Sequence, residues 1–298
     1  MSEVTKKQKV SVEEWRITFD QTQGLRTLVD VVGNILTRVN FRITYDAAKK
    51  TNFLCIDSID PQHVCMIQAR LVCEREQIDG EDITFCLESS VLNTCLKSVP
   101  SHYSLDLRKY SDSANIQLKA YETVSNSHTT TFELNTLVDD SETMQLSDMT
   151  YTFTIEIDLS TLRQIVKMSM SLRATQIDMI VNQPSDSSDE RTQFTISSTG
   201  DATQSHNFNS ATVKENDSNS CVIRAATDTT APEGDTVDMV QKYKDTFSAQ
   251  YLNFFLKSME RQIITMKLSQ DKPLILHYPL GAQMSYICFV LAPQVIDP

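Results

Sequence analysis

Residues 251–293 decide the fold, and their sequence is YLNFFLKSMERQIITMKLSQDKPLILHYPLGAQMSYICFVLAP. The first eight of them have the apolar spacing of a short amphipathic helix, and three apolar strand-like runs follow. The sequence of this helix is repeated within the chain: residues 252–259 (LNFFLKSM) are identical at five positions to residues 92–99 (LNTCLKSV). An internal repeat of this kind indicates a chain that is built from two similar halves.

A second echo supports the duplication. A predicted helix begins with Leu25-Arg26-Thr27-Leu28-Val29 after one alternating strand, and Leu162-Arg163-Gln164-Ile165-Val166 follows another alternating strand. Strand-like runs of period two fill most of the remaining chain, including a short candidate at residues 221–225. We therefore predict an α+β fold of two similar domains, each with antiparallel sheets and two helices.

The domain limits follow from where this pattern stops. Residues 136–150 are acidic and have no clear period, which is typical of a connector that crosses the surface. The predicted organisation is a disordered tail over 1–14, an N-terminal domain over 15–134, a connector over 135–150 and a C-terminal domain over 151–298. Polar insertions are expected near 184–191 and 213–238, where polar loops tolerate additional residues.

Composition excludes several classes of protein. Only 6 of the 298 residues are glycine, which argues against glycine-rich phosphate loops, and no apolar run is long enough for a membrane span. The polar N-terminus does not resemble a secretory signal. The seven cysteines form no C-x-x-C pair, so we expect buried thiols in a reducing intracellular compartment.

No catalytic or metal-binding pattern stands out. None of the five histidines lies at metal-ligand spacing from another histidine, cysteine or carboxylate, and no Walker, nucleophile-elbow or zinc-protease motif is present. We predict no enzyme activity, no metal and no cofactor.

The charge pattern favours contact with phosphate groups. A net charge of -12 is the wrong sign for a uniformly basic nucleic-acid binder. Each predicted helix nevertheless carries at least one cation on its polar side, namely Arg26, Lys97, Arg163, Lys167 and Lys257. Cations at repeated positions, without side chains that could read base edges, predict a surface that follows the phosphate backbone irrespective of sequence.

At this point the chain resembles a known family, the DNA sliding clamp called proliferating cell nuclear antigen, of eukaryotes, archaea and large DNA viruses. The resemblance rests on YLNFFLKS at 251–258, DKPLILHY at 271–278 and LAP at 291–293, in the family's order. The segment SIDPQHV at 58–64 is similar to a turn of the same family. The family usually has two aromatic residues before Leu-Ala-Pro, where this chain has Phe289-Val290.

The resemblance implies a homotrimeric ring of six domains that encircles double-stranded DNA as a processivity factor. The helices would line the hole, and the five helix cations would face the DNA. The implied partners are DNA polymerase, other proteins with clamp-binding peptides, a clamp loader and further copies of this chain. The implied location is the nucleus or a viral replication compartment.

The resemblance also implies two protein-binding surfaces. Partner peptides would enter an apolar pocket formed by Ile59, His63, Met66, Met144, Leu146, Pro273, Val290 and Ala292. Subunits would join by pairing edge strands, for which the candidates are residues 114–121, with Ile116 and Leu118, and residues 207–213, with Phe208 and Ala211. Such pairing satisfies backbone groups that an open edge leaves exposed.

Two alternatives remain at this stage. The chain could be one subunit of a heterotrimeric checkpoint-type clamp or a monomeric viral processivity factor, because Thr27, Gly33, Thr94 and Gln250 stand where the family often has Lys or Arg. It could instead be an acidic scaffold that binds proteins and does not contact DNA.

Overall fold

The computed structural model describes residues 12–76, 82–122, 128–138, 149–184, 192–209, 221–225, 239–257, 259, 263–281 and 284–294. Most of the tail, the connector and the two insertions that the sequence predicts lie outside these ranges. The chain forms two compact units, Met1–Ile56 with Arg70–Ser141 and Asp57–Ala69 with Glu142–Pro298. The division after Ser141 falls inside the predicted connector, but Asp57–Ala69 belongs to the second unit rather than to the first.

The first unit contains helices α1 (Thr22–Val32) and α2 (Ser89–Lys97), which contact each other. Its strands are β1 (Glu13–Phe19), β2 (Arg38–Asp46), β5 (Ile83–Glu88), β6 (Ser104–Tyr110), β7 (Ile116–Tyr121) and β8 (Thr129–Leu134), together with most of β3 (Thr51–Ile59) and β4 (Cys65–Glu76). The order β4-β1-β6-β7-β8 is antiparallel throughout, and β2 pairs with β3 and β5.

The second unit contains helices α3 (Leu159–Ser171) and α4 (Ala249–Leu256), which also contact each other. Its strands are β9 (Phe153–Asp158), β10 (Gln176–Pro184), β11 (Gln193–Thr199), β12 (Thr203–Asn209), β13 (Cys221–Ala225), β14 (Met239–Ser248), β15 (Ile263–Leu268), β16 (Leu274–Pro279) and β17 (Tyr286–Leu291). Two antiparallel arrays result, β13-β9-β15-β16-β17 and β12-β11-β10-β14.

The element order confirms the predicted duplication and the α+β class. Each unit begins with a strand and a helix, and each ends with a strand, a helix and three strands. The predicted strand at 221–225 is present as β13, and it has no counterpart in the first unit because it lies within the second unit's additional residues.

Strand alternation separates the helix-facing side of each sheet from the opposite side. In the second unit Phe255 of α4 stacks on Phe289 of β17 with ring centroids 4.3 Å apart. Because consecutive strand residues point to opposite faces, Val290 lies on the face away from α4.

One predicted edge strand is wrong. The sequence predicts residues 114–121 at a sheet edge, but β7 pairs with β6 on one side and with β8 on the other. Ile116 and Leu118 are consequently buried in the core. Within the described residues, β8 is the outer strand of this array in the first unit, and β12 of the second unit pairs only with β11. Ala211 lies outside the described residues.

All seven cysteines are free thiols, and all except Cys95 are buried. This agrees with their prediction as small core residues. Within the described ranges no helix has the length and apolar character that a bilayer crossing requires.

Candidate functional site

The helix pair of the first unit holds one of its predicted cations in an ion pair. Lys97, at the end of α2, places Nζ 2.6 Å from Oδ1 of Asp30 on α1. The same carboxylate oxygen accepts a hydrogen bond of 3.0 Å from Nδ2 of Asn93. Arg26 lies one turn before Asp30, so both side chains project from one side of α1, opposite the buried Leu25 and Leu28.

The helix pair of the second unit is joined by Arg163 of α3. Its Nε donates a hydrogen bond of 2.8 Å to the carbonyl oxygen of Leu256, and Nη2 donates to the carbonyl oxygen of Met259. These acceptors lie at the C-terminal end of α4, where main-chain carbonyls lack helical partners and a positive charge is favourable. Arg163 therefore helps to hold the two helices together, whatever else it contacts.

Lys167 and Lys257 remain exposed in the same unit. Lys167 lies one turn after Arg163 on α3, and Lys257 follows α4 directly. Among the described residues neither lysine has a carboxylate within ion-pair distance. Exposed ammonium groups such as these can contact phosphate groups without first breaking an internal ion pair.

A small apolar cluster lies on the opposite face of the second unit. Met66, Ile275, Cys288 and Val290 are buried together, and Ile59, Tyr151 and Tyr286 pack against them. We call these seven residues the Val290 cluster. Ile275 lies directly opposite Val290 in the β16–β17 pair, and Cys288 and Tyr286 follow on the same face at two-residue steps.

The predicted partner pocket therefore has three of its residues in one cluster, namely Ile59, Met66 and Val290. Pro273 and Ala292 are half-buried and flank the paired ends of β16 and β17, on the Val290 side of the strands by alternation. His63 is exposed in the β3–β4 turn. Met144 and Leu146 lie outside the described residues.

Tyr151 and Lys272 form one rim of the cluster. Nζ of Lys272 lies 5.7 Å from the ring centroid of Tyr151 and donates a hydrogen bond to the carbonyl oxygen of Thr150. Burial is the main cause that raises the pKa of Tyr151. The rim thus combines a neutral phenol with a cation, next to apolar side chains that could accept aliphatic or aromatic groups.

The thiols of this region are not reactive. Burial raises the pKa of Cys288 to about 12, and it also raises the pKa of Cys65. A protonated, buried thiol is a poor nucleophile. The arrangement can therefore bind an apolar group through packing alone.

Sequence reasoning missed Tyr151, Tyr286, Ile275 and Cys288 as cluster residues. Three of them could have been found from strand alternation, because 286, 288 and 290 share a face and 275 is the β16 partner of 290. Tyr151 precedes its strand and reaches the cluster by tertiary packing, which no local pattern reveals.

The predicted interface residue Phe208 lies on the outer strand β12. Its ring stacks on Phe194 of β11 with centroids 6.1 Å apart, so it covers the sheet next to an open strand edge. The described part of β12 can accept a further strand, whereas β7 cannot.

Residues 207–294 match the family model described as the proliferating cell nuclear antigen C-terminal domain. Over this stretch the chain is similar to the proliferating cell nuclear antigen family of sliding clamps. No curated protein matches the chain.

The matched stretch contains several of the candidate site residues. It includes Phe208 on β12, Lys257 after α4, and the pocket residues Pro273, Val290 and Ala292. The family supports DNA and replication proteins as partners in general terms. Arg26, Lys97, Arg163 and Lys167 lie before the match, so their assignment rests on the duplication and on the geometry of the two helix pairs.

Proposed function

We propose that this protein is a homotrimeric processivity clamp without catalytic activity. It encircles duplex DNA, binds the phosphate backbone through its helices, and tethers DNA polymerase and other proteins through the Val290 cluster. One observation carries the proposal: the family match over 207–294 includes both the basic end of α4 and the β16–β17 face of the cluster. A clamp loader would open the ring, and the protein would act where DNA is replicated.

The DNA-binding part of the proposal rests on Lys167 and Lys257, supported by Arg26 and Lys97. Contacts of this kind are sequence-independent, and their strength falls as salt displaces the protein's cations from the phosphates. Arg163 adds positive electrostatic potential at the same surface, while its guanidinium group remains hydrogen-bonded to main-chain carbonyls at the end of α4.

The test of DNA binding uses two double variants with the same change in charge. Lys167→Glu with Lys257→Glu alters the helices, and Lys242→Glu with Lys244→Glu alters exposed lysines on strand β14 of the same unit. We expect only the helix variant to lose polymerase stimulation on primed circular DNA and to lose salt-sensitive DNA association. Equal losses in the two variants would contradict a specific helix surface.

The subunit contact is proposed at the two outer strands. β8 of one copy would pair with β12 of the next, since each offers unpaired main-chain groups on one side in the described structure. Pairing would continue the sheets and remove two open edges. β8 replaces the strand that the sequence favoured, and Phe208 remains in the proposed contact.

The peptide site can be tested with a pair of isoleucine variants. Ile59 packs against the Val290 cluster, whereas Ile263 of β15 is 55% exposed and not among its residues. We expect Ile59→Lys to abolish binding of a fluorescein-labelled peptide that carries two adjacent aromatic anchors, the side chains that dominate many protein interfaces. Ile263→Lys should bind as the unaltered protein does; equal binding by both variants would place the peptide elsewhere.

A second candidate keeps the fold and changes the assembly. A subunit of a heterotrimeric clamp, or a monomeric viral processivity factor, is favoured by the ion pair of Lys97 with Asp30, which leaves the first unit with fewer available cations. If the protein is instead an acidic scaffold, it should not associate with DNA even at low salt. The charge-reversal experiment therefore also distinguishes this alternative from a DNA-binding clamp.

A further inference from the structure

The turn between β3 and β4 is built around a buried carboxylate. Asp60 is 2% exposed. Its Oδ1 accepts hydrogen bonds from the main-chain N–H groups of Val64, at 2.8 Å, and of Cys65, and its Oδ2 accepts one of 3.1 Å from Gln62. His63 occupies the left-handed region with φ 57°, which is uncommon for a residue with a side chain. The carboxylate therefore holds a turn that would not keep this shape unaided.

Helix α4 supplies one more partner for this carboxylate. The hydroxyl of Tyr251 lies 2.6 Å from Oδ2 of Asp60 and 3.0 Å from Oε1 of Gln62. Burial, followed by the hydrogen bond to Asp60, raises the pKa of Tyr251, so the phenol stays protonated and acts as the donor. A hydrogen bond to a charged acceptor is stronger than one between neutral groups.

The same turn contacts the end of β17. The main-chain N–H of Ala292 donates a hydrogen bond of 3.0 Å to the carbonyl oxygen of Val64. Two residues after Val64, the side chain of Met66 enters the Val290 cluster. The phenol of Tyr251 is thus connected to Ala292 by the carboxylate of Asp60 and by one residue of main chain.

We infer that Tyr251 is a positioning residue for the partner-peptide site. Its hydroxyl fixes the Asp60 turn, and the turn fixes His63, Met66 and Ala292 around the Val290 cluster before any peptide arrives. Groups that are already in place cost less ordering when a ligand binds. The inference rests on the proposed function of this cluster as a peptide site.

A merely structural role for Tyr251 makes a different prediction. The ring packs beside Phe254 and Phe255, and phenylalanine would keep that packing. Asp60 would also keep its three main-chain donors. If Tyr251 positions the turn, loss of the hydroxyl alone should leave the unit folded but loosen the turn. If the side chain only packs in the core, Tyr251→Phe should leave both the fold and the turn unchanged.

The test compares Tyr251→Phe with Tyr121→Phe. The control also removes a phenol that donates to a buried carboxylate, since the hydroxyl of Tyr121 lies 3.2 Å from Oδ1 of Asp106 in the first unit. We expect Tyr251→Phe to speed hydrogen exchange at the amides of Val64, Cys65 and Ala292 by about tenfold. The aromatic-anchor peptide should bind about fivefold more weakly, with a melting temperature close to that of the control.

The outcomes separate the inference from the function on which it rests. If the unaltered protein does not bind the peptide, the proposed peptide site is wrong. If it binds, and Tyr251→Phe matches Tyr121→Phe both in affinity and in exchange at these three amides, Tyr251 does not position the site. Faster exchange with unchanged affinity would also overturn the inference, because the turn would then not matter for binding.

Discussion

The two helix pairs of this protein occupy equivalent places in the repeat but hold their charges differently. The echoed segments align Arg26 with Arg163 and Lys97 with Lys257. In the same alignment Asp30 of α1 corresponds to Lys167 of α3. In the first unit Asp30 forms an ion pair with Lys97 of the neighbouring helix. In the second unit the residue that corresponds to Asp30 is Lys167, and both Lys167 and Lys257 remain exposed.

This difference shows that counting cations on a helix overstates what is available for DNA. Lys97 must leave a carboxylate before it can contact a phosphate, and Arg163 uses two donors on main-chain carbonyls. The second unit still offers two unpaired lysines within the described residues. We therefore expect it to contribute more to DNA association than the first unit does.

The largest expected effect is on stability, from Arg163→Ala. The carbonyl groups of Leu256 and Met259 would lose their charged donor, which should lower the free energy of unfolding by about 2–3 kcal/mol. Arg163→Lys keeps the charge but not the two-pronged geometry and should recover part of the loss. Denaturant unfolding measures both, and a loss below that of exposed Lys167→Ala would contradict a holding role for Arg163.

Lys167→Asp should transfer the arrangement of the first unit to the second. An aspartate at this position can pair with Lys257, so the variant removes one cation and occupies another. We expect about a tenfold loss of DNA affinity at low salt, and a logarithmic salt dependence that is shallower by about 0.9 for each phosphate that the helices no longer neutralise. The neutral change Lys167→Met, of similar length, serves as the control, and an equal loss there would show that Lys257 was not captured.

Asp30→Asn should have the smallest effect and the opposite sign. The exposed ion pair with Lys97 contributes about 0.2–1 kcal/mol, so stability should fall only slightly. Lys97 would become available, and DNA association should strengthen by about twofold to threefold. Combining it with Lys97→Met should cancel the gain; a gain that persists would assign the effect to removal of the negative charge alone.

Local patterns were sufficient for much of the fold. Repeated helix segments revealed the duplication, and period-two runs placed most strands, including β13 inside a polar insertion. The edge at β7 was misassigned because a strand's position in a sheet depends on pairing between distant segments. Alternation in β7 is the same whether one or both sides are paired.

The site was predicted less completely, for a related reason. Val290, Met66 and Ile59 were named from the family motifs, but Tyr151 joins them through packing between distant segments. The contact of Tyr251 with Asp60 joins residues 191 positions apart. The main-chain hydrogen bonds of Arg163 could likewise not be predicted, because no sequence pattern marks the carbonyl groups that a distant side chain contacts.

The mass of the purified protein in solution tests the central claim most directly, because a closed ring needs a defined number of subunits. Sedimentation equilibrium at micromolar concentration should give three times the 33.7 kDa of one chain, without further growth as concentration rises. A mass that stays at 33.7 kDa over the same range would contradict the homotrimeric clamp.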